Sequence, residues 1–194
     1  SERVTWIGDA AFLNNKLSSI TIPDRLTSIS ESAFQNNQLT NVTIPDSVTK
    51  VGISAFRDNQ LTSLIIPNSI TTVGNHAFRD NQLNSVTLGA ALDSIGLQAF
   101  SGNELTSIFI PDSISNLAYG VFAFNQLASI TFSKKVVNIS DSSFANNQLT
   151  NLLFLGDRPQ IDEDSFTSNP LISVGYITGK VGWPGAPVQG VMPS

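Results

Sequence analysis

The chain has no cysteine and only one histidine, and few of its residues are charged. The missing cysteines exclude a disulfide framework, thiolate metal sites and cysteine nucleophiles. The single histidine, His76, falls in a column that otherwise reads Ala10, Ser32, Ser54, Gln98, Gly120 and Ser142. That column predicts a variable, exposed site. A Ser-His-Asp triad needs its histidine held beside a serine and an acid, which nothing in the pattern suggests. No catalytic residue is assigned, and the chain reads as a non-enzyme. Charged residues make up 13% of the sequence and the formal net charge is -5. Without a basic stripe the chain is a poor nucleic-acid binder, and its acidity opposes anionic lipid. No run approaches the 18 apolar residues of a membrane span, so no membrane insertion is expected. A Gly-x-x-x-x-Gly-Lys phosphate loop is absent too. No cofactor is implied.

What is present is a period. Phenylalanine recurs every 22 residues at Phe12, Phe34, Phe56, Phe78, Phe100, Phe122, Phe144 and Phe166. Asparagine keeps the same interval at Asn15, Asn37, Asn59, Asn81, Asn103, Asn125, Asn147 and Asn169, and leucine does so from Leu17 to Leu171. Three registers locked to one period of this length indicate a stacked solenoid. Each unit packs only on its neighbours, so one elongated core replaces a globular one.

One coil runs from Leu39 to Gln60. Its Leu-x-x-Val-x-Ile segment ends in the period-2 alternation of a short strand with one buried face. Pro23, Pro45, Pro67 and Pro111 follow that strand and end it, since proline donates nothing to a ladder. A second apolar pair follows, Val48 with Val51 and Ile70 with Val73, then glycine at Gly52, Gly74 and Gly96, then an Ala-Phe pair. That last part is too short for a stable α-helix and predicts a short helical or irregular turn on the outer side. Stacking places like on like. Phe34, Phe56, Phe78 and Phe100 then form a buried spine. Asn37, Asn59, Asn81, Asn103, Asn125 and Asn147 form a polar ladder that hydrogen-bonds backbone groups of its own coil and the next, because a buried amide must be satisfied.

The ends depart from the unit. Residues 1–16 read as a partial first repeat, 17–176 as the array, and 177–194 as a cap remnant running into a Pro/Gly-rich linker. With no initial Met and no signal-like apolar run, the chain is expected to be a processed or excised piece of a larger parent. Asp24, Asp46 and Asp112 follow proline, where aspartate closes turns. Asn68, Ala90 and Lys134 interrupt that column, which argues against a calcium ladder. Asp162-Glu163-Asp164 is read as acids at a helix start, and no metal site is assigned.

The run Asn-x-Leu-x-x-[Val/Ile]-x-Ile-Pro-x-x-[Val/Ile]-x-x-[Ile/Val]-Gly-x-x-Ala-Phe resembles the BspA-type leucine-rich repeat. The match covers about residues 3–176 and is carried by Leu39, Val42, Ile44, Pro45, Val48, Val51, Gly52, Ala55, Phe56 and Asn59 with their equivalents. The family unit is commonly one residue longer. Proline is lost at Gly89, Ser133 and Leu155, where looser turns are expected. The resemblance implies a leucine-rich repeat solenoid of about eight 22-residue turns, with a parallel β-sheet on its concave face. It further implies a secreted or cell-surface bacterial protein associated with adhesion, with a protein or glycan partner on a host or neighbouring cell.

The candidate ligand positions are the outward strand residues: Thr21, Thr43, Ile65, Thr87, Phe109, Thr131 and Leu153, with Ser63, Ser85 and Ser107 beside them. Exposed aromatic and aliphatic residues on such a face are contact anchors, or else scattered surface apolar residues of the ordinary kind. Three readings compete. The face binds a protein or glycan, the array is a structural spacer in a larger surface protein, or the threonine rows match an ice or crystal lattice. The apolar interruptions at Ile65, Phe109 and Leu153 count against the third. Because apolar stacking rather than charge holds such an array, its melting midpoint should barely move between low and high NaCl and should not rise with calcium. Thermal unfolding followed by circular dichroism checks both.

Overall fold

The computed structural model describes residues 4–177 and 179–183. Most of the predicted cap and linker therefore lies outside the described residues. The chain winds as a parallel β-solenoid in which every paired strand meets its partner at an offset of 22 residues, such as Ile65 with Thr87 and Val51 with Val73. Among the described residues, twelve short strands make two separate faces. They are β1 (Ser28–Ile29), β2 (Lys50–Val51), β3 (Ser63–Ile65), β4 (Thr72–Val73), β5 (Ser85–Thr87), β6 (Ser94–Ile95), β7 (Asn116–Leu117), β8 (Ser129–Phe132), β9 (Asn138–Ile139), β10 (Asn151–Phe154), β11 (Gln160–Ile161) and β12 (Ser173–Tyr176).

The first face is the strand expected from the Leu-x-x-Val-x-Ile pattern. It comprises β3-β5 and β8-β10-β12, and its residues alternate outward and inward, as in β8 and β10. The second face was not anticipated as a sheet. The apolar position at Ile29, Val51, Val73 and Ile95 points into the core from two-residue strands ordered β1-β2-β4-β6, and β7, β9 and β11 continue the same column. A strand needs only one buried side chain per coil here, so two residues suffice.

No helix occurs among the described residues. The Ala-Phe segment is a run of turns, and its hydrogen bonds show why. In one coil the amides of Ser54, Phe56 and Asp58 donate to Asn75, Ala77 and Arg79 of the next coil, while Ala55 and Arg57 donate back to Gly52 and Ser54. A helix would keep all of these bonds to itself. The alternation requires left-handed residues, and two recur in each coil: Ser32, Ser54, His76 and Gln98 in one column, Asn36, Asp58 and Asp80 in another, with φ between 52 and 58°. This corner is thus a third hydrogen-bonded ladder. The acids at 162–164 begin a turn of this kind rather than a helix. Asp162 Oδ2 accepts the Asp141 N–H at 3.1 Å.

The core is layered. Phe12 to Phe166 form one stack with neighbouring ring centroids 5.3 to 5.6 Å apart. Phe34 through Phe144 in that stack are fully buried. Beside the stack runs the asparagine ladder. Asn59 Oδ1 accepts the Leu39 N–H at 3.0 Å, and its Nδ2 donates to the carbonyls of Phe34 at 2.9 Å and Phe56 at 3.2 Å. The side chains therefore tie each coil to the preceding one, not to the next as expected. Turns after the first face close by the same bond from Pro23 to Ser133, but at Leu155 the equivalent amide, that of Arg158, donates instead to the Val181 carbonyl at 3.0 Å. Val48 donates to Pro45 at 3.0 Å and Leu92 to Gly89 at 3.1 Å, so loss of proline at Gly89 loosens nothing, whereas the bond from Val136 to Ser133 lengthens to 3.4 Å. Ser47, Ser69 and Ser113 add hydroxyl bonds to the carbonyls of Leu26, Val48 and Leu92 of the coil before. At the C-terminal end Trp183 stacks on Tyr176 at 4.8 Å and donates to the Gly156 carbonyl at 3.2 Å.

Replacing Phe78 by alanine opens a cavity in the stack and should cost about 3–5 kcal/mol. Replacing Asn81 by alanine leaves the buried Leu61 N–H without a partner and the Phe56 carbonyl with only the longer bond from Asn59, at about 1–3 kcal/mol for the unpaired group. Urea unfolding of both variants measures these losses.

Candidate binding face

The outward column of the first face lies in the open. Thr21, Thr43, Thr87 and Thr131 are exposed, as are Ser63, Ser85 and Ser107. The register sets Ile65 beside Thr87, and Leu153 between Thr131 and Gly175. Ser63 stands beside Ser85 in the neighbouring column. Phe109 has no ladder partner on either side, because its own coil is not paired into the face. The hydroxyls of these seven serines and threonines make no hydrogen bond within the protein among the described residues, so their donors and acceptors are available to a ligand.

Two side chains dominate the face. Phe109 is 75% exposed and Ile65 69%, while Leu153 is less exposed at 40%. Strand geometry gives the reason. The neighbouring residues Leu64, Ile66, Ile108 and Ile110 fill the inward positions and are buried, so a large residue at 65 or 109 must point outward. No outward strand position from Ser19 to Leu153 carries a charge. A shallow groove runs over this part of the face, lined by Thr43, Asp46, Ser63, Ile65, Asn68 and Thr87. It joins an apolar wall to free hydroxyl groups and to Asn68, whose Oδ1 accepts the Ala90 N–H at 2.8 Å.

Away from this face a few charged residues pair with one another. Arg57 and Arg79 bracket Asp80 at 3.7 and 3.1 Å, at partly exposed positions where such pairs contribute little. His76 is not on an open surface as its column suggested. It is half-buried at a left-handed turn with Nε2 3.1 Å from Gln98 Oε1, which also accepts from Arg79 at 2.8 Å. No serine or carboxylate bonds to it, so it has the partners of a structural side chain rather than those of a general base. No group of three or more His, Asp or Glu side chains converges as metal ligands among the described residues.

Sequence columns outside the first face also expose apolar residues. Ile53, Leu97 and Tyr119 occupy one column flanking the second face. Phe124 is 57% exposed with φ of 56°. Its column elsewhere holds Asn14, Asn36, Asp58, Asp80, Gly102, Asn146 and Ser168. Asparagine and glycine tolerate the left-handed region, and a bulky ring does so at a cost of about 1–2 kcal/mol. The signal was present in the sequence as one aromatic in a polar column, but its meaning depends on the backbone angle. Phe124→Asn should therefore stabilise the fold by about 1 kcal/mol. In a chain of this size that raises the melting midpoint by roughly 2–4 °C, measured by calorimetry.

The comparisons with known proteins agree with this geometry. The family model described as the BspA type leucine rich repeat region matches residues 1–84 and 49–173. No curated protein matches the chain. A leucine rich cell surface protein from Faecalibacterium prausnitzii A2-165 superposes with a TM-score of 0.64 at 24% identity, covering 99% of this chain and 62% of that one. A leucine-rich repeat protein from Bacteroides ovatus ATCC 8483 aligns with a TM-score of 0.42 at 20% identity, over 93% of this chain and 65% of that one. The chain thus spans less than two thirds of the length of either structure. With its 22-residue period, stacked phenylalanines and asparagine ladder continuous through the matched region, the chain belongs to the BspA-type leucine-rich repeat family.

Proposed function

We propose that this array is a non-catalytic binding module of a secreted or surface-attached bacterial protein, holding an extracellular protein or glycan on its first face. The observation that carries the reading is the exposure of Phe109 and Ile65 among outward strand positions that carry no charge and whose hydroxyls are free. Burying large apolar side chains supplies most of the affinity at a contact surface, and surrounding polar groups supply orientation. Titratable groups do not converge on this face or around His76, which is why a binding role is favoured over a catalytic one. The surface location is supported by the family match and by the cell-surface protein that shares the fold. Adhesion to a host or neighbouring cell is the role such a module would serve within a larger parent chain.

The test is a binding screen against matrix proteins, glycans and whole cells. It compares the unaltered domain with a Phe109→Asp/Ile65→Asp variant shown to be folded. Loss of binding by at least tenfold in the variant is expected. Binding that survives both substitutions would move the contact to the second face, where Leu97 and Tyr119 lie. No binding by either protein would leave the array as a spacer that carries other domains outward.

A further inference from the structure

One junction in the middle of the array lacks bonds that the junctions on either side of it have. The second face is a continuous ladder from Ser28 to Ile95 and again from Asn116 to Ile161, but β6 and β7 do not pair. Three backbone bonds that recur down the array are missing at this point. Gly52, Gly74, Gly96, Ser140 and Asp162 each donate to the coil before, at 2.8 to 3.0 Å. Ala118, in the same column, makes no such bond to Ile95. Thr49, Thr71, Asp93 and Val137 donate to the residue 22 positions earlier, as do Asn84 and Ala128. Ser115 and Thr106 do not. Between residues 84–95 and 106–117 one hydrogen bond crosses, from Ser113 Oγ to the Leu92 carbonyl at 2.6 Å.

Side-chain volume explains the gap. A Cβ placed on Gly52, Gly74 or Gly96 would lie 2.5 to 2.7 Å from backbone atoms of the preceding coil. Ala118 carries that methyl group, Val121 is bulkier than the alanine of the earlier coils, and together they mark the coil that makes none of these backbone bonds. Later coils put Ser140 and Asp162 in this column and keep the ladder. There Ser143 and Ser165 replace the alanine of the Ala-Phe pair, and their hydroxyls donate to the carbonyls of Ala118 and Ser140 in the coil before. Position 121 is valine, which can do neither. The opposite corner is intact across the same junction. Gln98, Phe100 and Gly102 donate to Tyr119, Val121 and Ala123 at 2.9 to 3.1 Å, Asn125 Nδ2 donates to the Phe100 carbonyl at 3.0 Å, and Phe100 stacks on Phe122.

We propose that the array hinges between these two coils, opening on the side of the two β-faces about the phenylalanine–asparagine corner, which stays bonded. Hinge motion needs a place where few bonds must break and an axis where bonds persist, and the junction has both. Ile65 and Phe109 stand on opposite sides of it, so a ligand that touches both holds the hinge at one angle. That last step rests on the first face being the binding surface, and the hinge itself is tested without any ligand.

In hydrogen–deuterium exchange of the whole chain, the amides of Thr106, Ser115 and Ala118 should exchange at least tenfold faster than those of Gly74 and Ser140. Because the chain lacks cysteine, introduced thiols are unique labelling sites. Nitroxides at Lys50→Cys/Asn116→Cys span the junction over three coils. Ser28→Cys/Ser94→Cys span three coils within one half, at a similar separation of about 14 Å. Dipolar broadening should report a wider distance distribution for the first pair. Ala118→Gly with Val121→Ala, which restores the Gly-x-x-Ala turn, should narrow it and slow exchange at Ser115. Equal protection of the compared amides, or equal widths for the two label pairs, would overturn the hinge.

Discussion

The structure depends on the buried amide of one asparagine per coil. Its carboxamide accepts one backbone N–H and donates to carbonyls of two successive coils, at a corner where neither sheet is available to pair those groups. Buried backbone groups left unpaired are costly, so the sharp corner exists only where a side chain of this shape stands in. Aspartate would offer acceptors alone, and glutamine is one methylene too long for the same reach. The phenylalanine stack then follows, because the turn that asparagine closes presents each ring to the same ring in the next coil.

A consequence of this arrangement is that coils are tied most firmly at the corner and less firmly at the two faces. The corner ladder runs without interruption through the middle of the array, while the first face is paired in two pieces and the second face breaks once. The faces are thus free to vary in sequence. Outward positions change from threonine to isoleucine, phenylalanine and leucine with no effect on the spine. Function can be written on the faces because stability is held at the corner. The cost appears at Phe124, where an aromatic ring occupies a left-handed position without burial in return.

Much of this was legible beforehand, and for a physical reason. A period of 22 residues with identical apolar columns has few packings, and the alternation in Leu-x-x-Val-x-Ile identifies an inward and an outward side without further information. The exposed positions of Ile65 and Phe109 followed from that alternation alone. What misled was local. Val51 and its equivalents looked like the second member of an apolar pair before a turn, since two residues are too few to show a strand period. The acids at 162–164 looked like a helix start because the turns of this corner use left-handed residues that leave no mark on hydropathy. His76 looked exposed because its column varies, yet the column varies for backbone reasons and its side chain meets Gln98 of the adjacent coil.

The sequence by itself determined the solenoid, its repeat length, the buried columns and the outward face, because each is a matter of which residues recur at which interval. Only the tertiary structure decided how coils are bonded to one another. The direction of the asparagine ladder, the second face, the bonding of the irregular turn corner and the loosened junction at Ala118 all depend on contacts between residues about 22 apart. There the added volume of Ala118 and Val121, with no hydroxyl at 121 to bond the coil before, accompanies the loss of the backbone bonds.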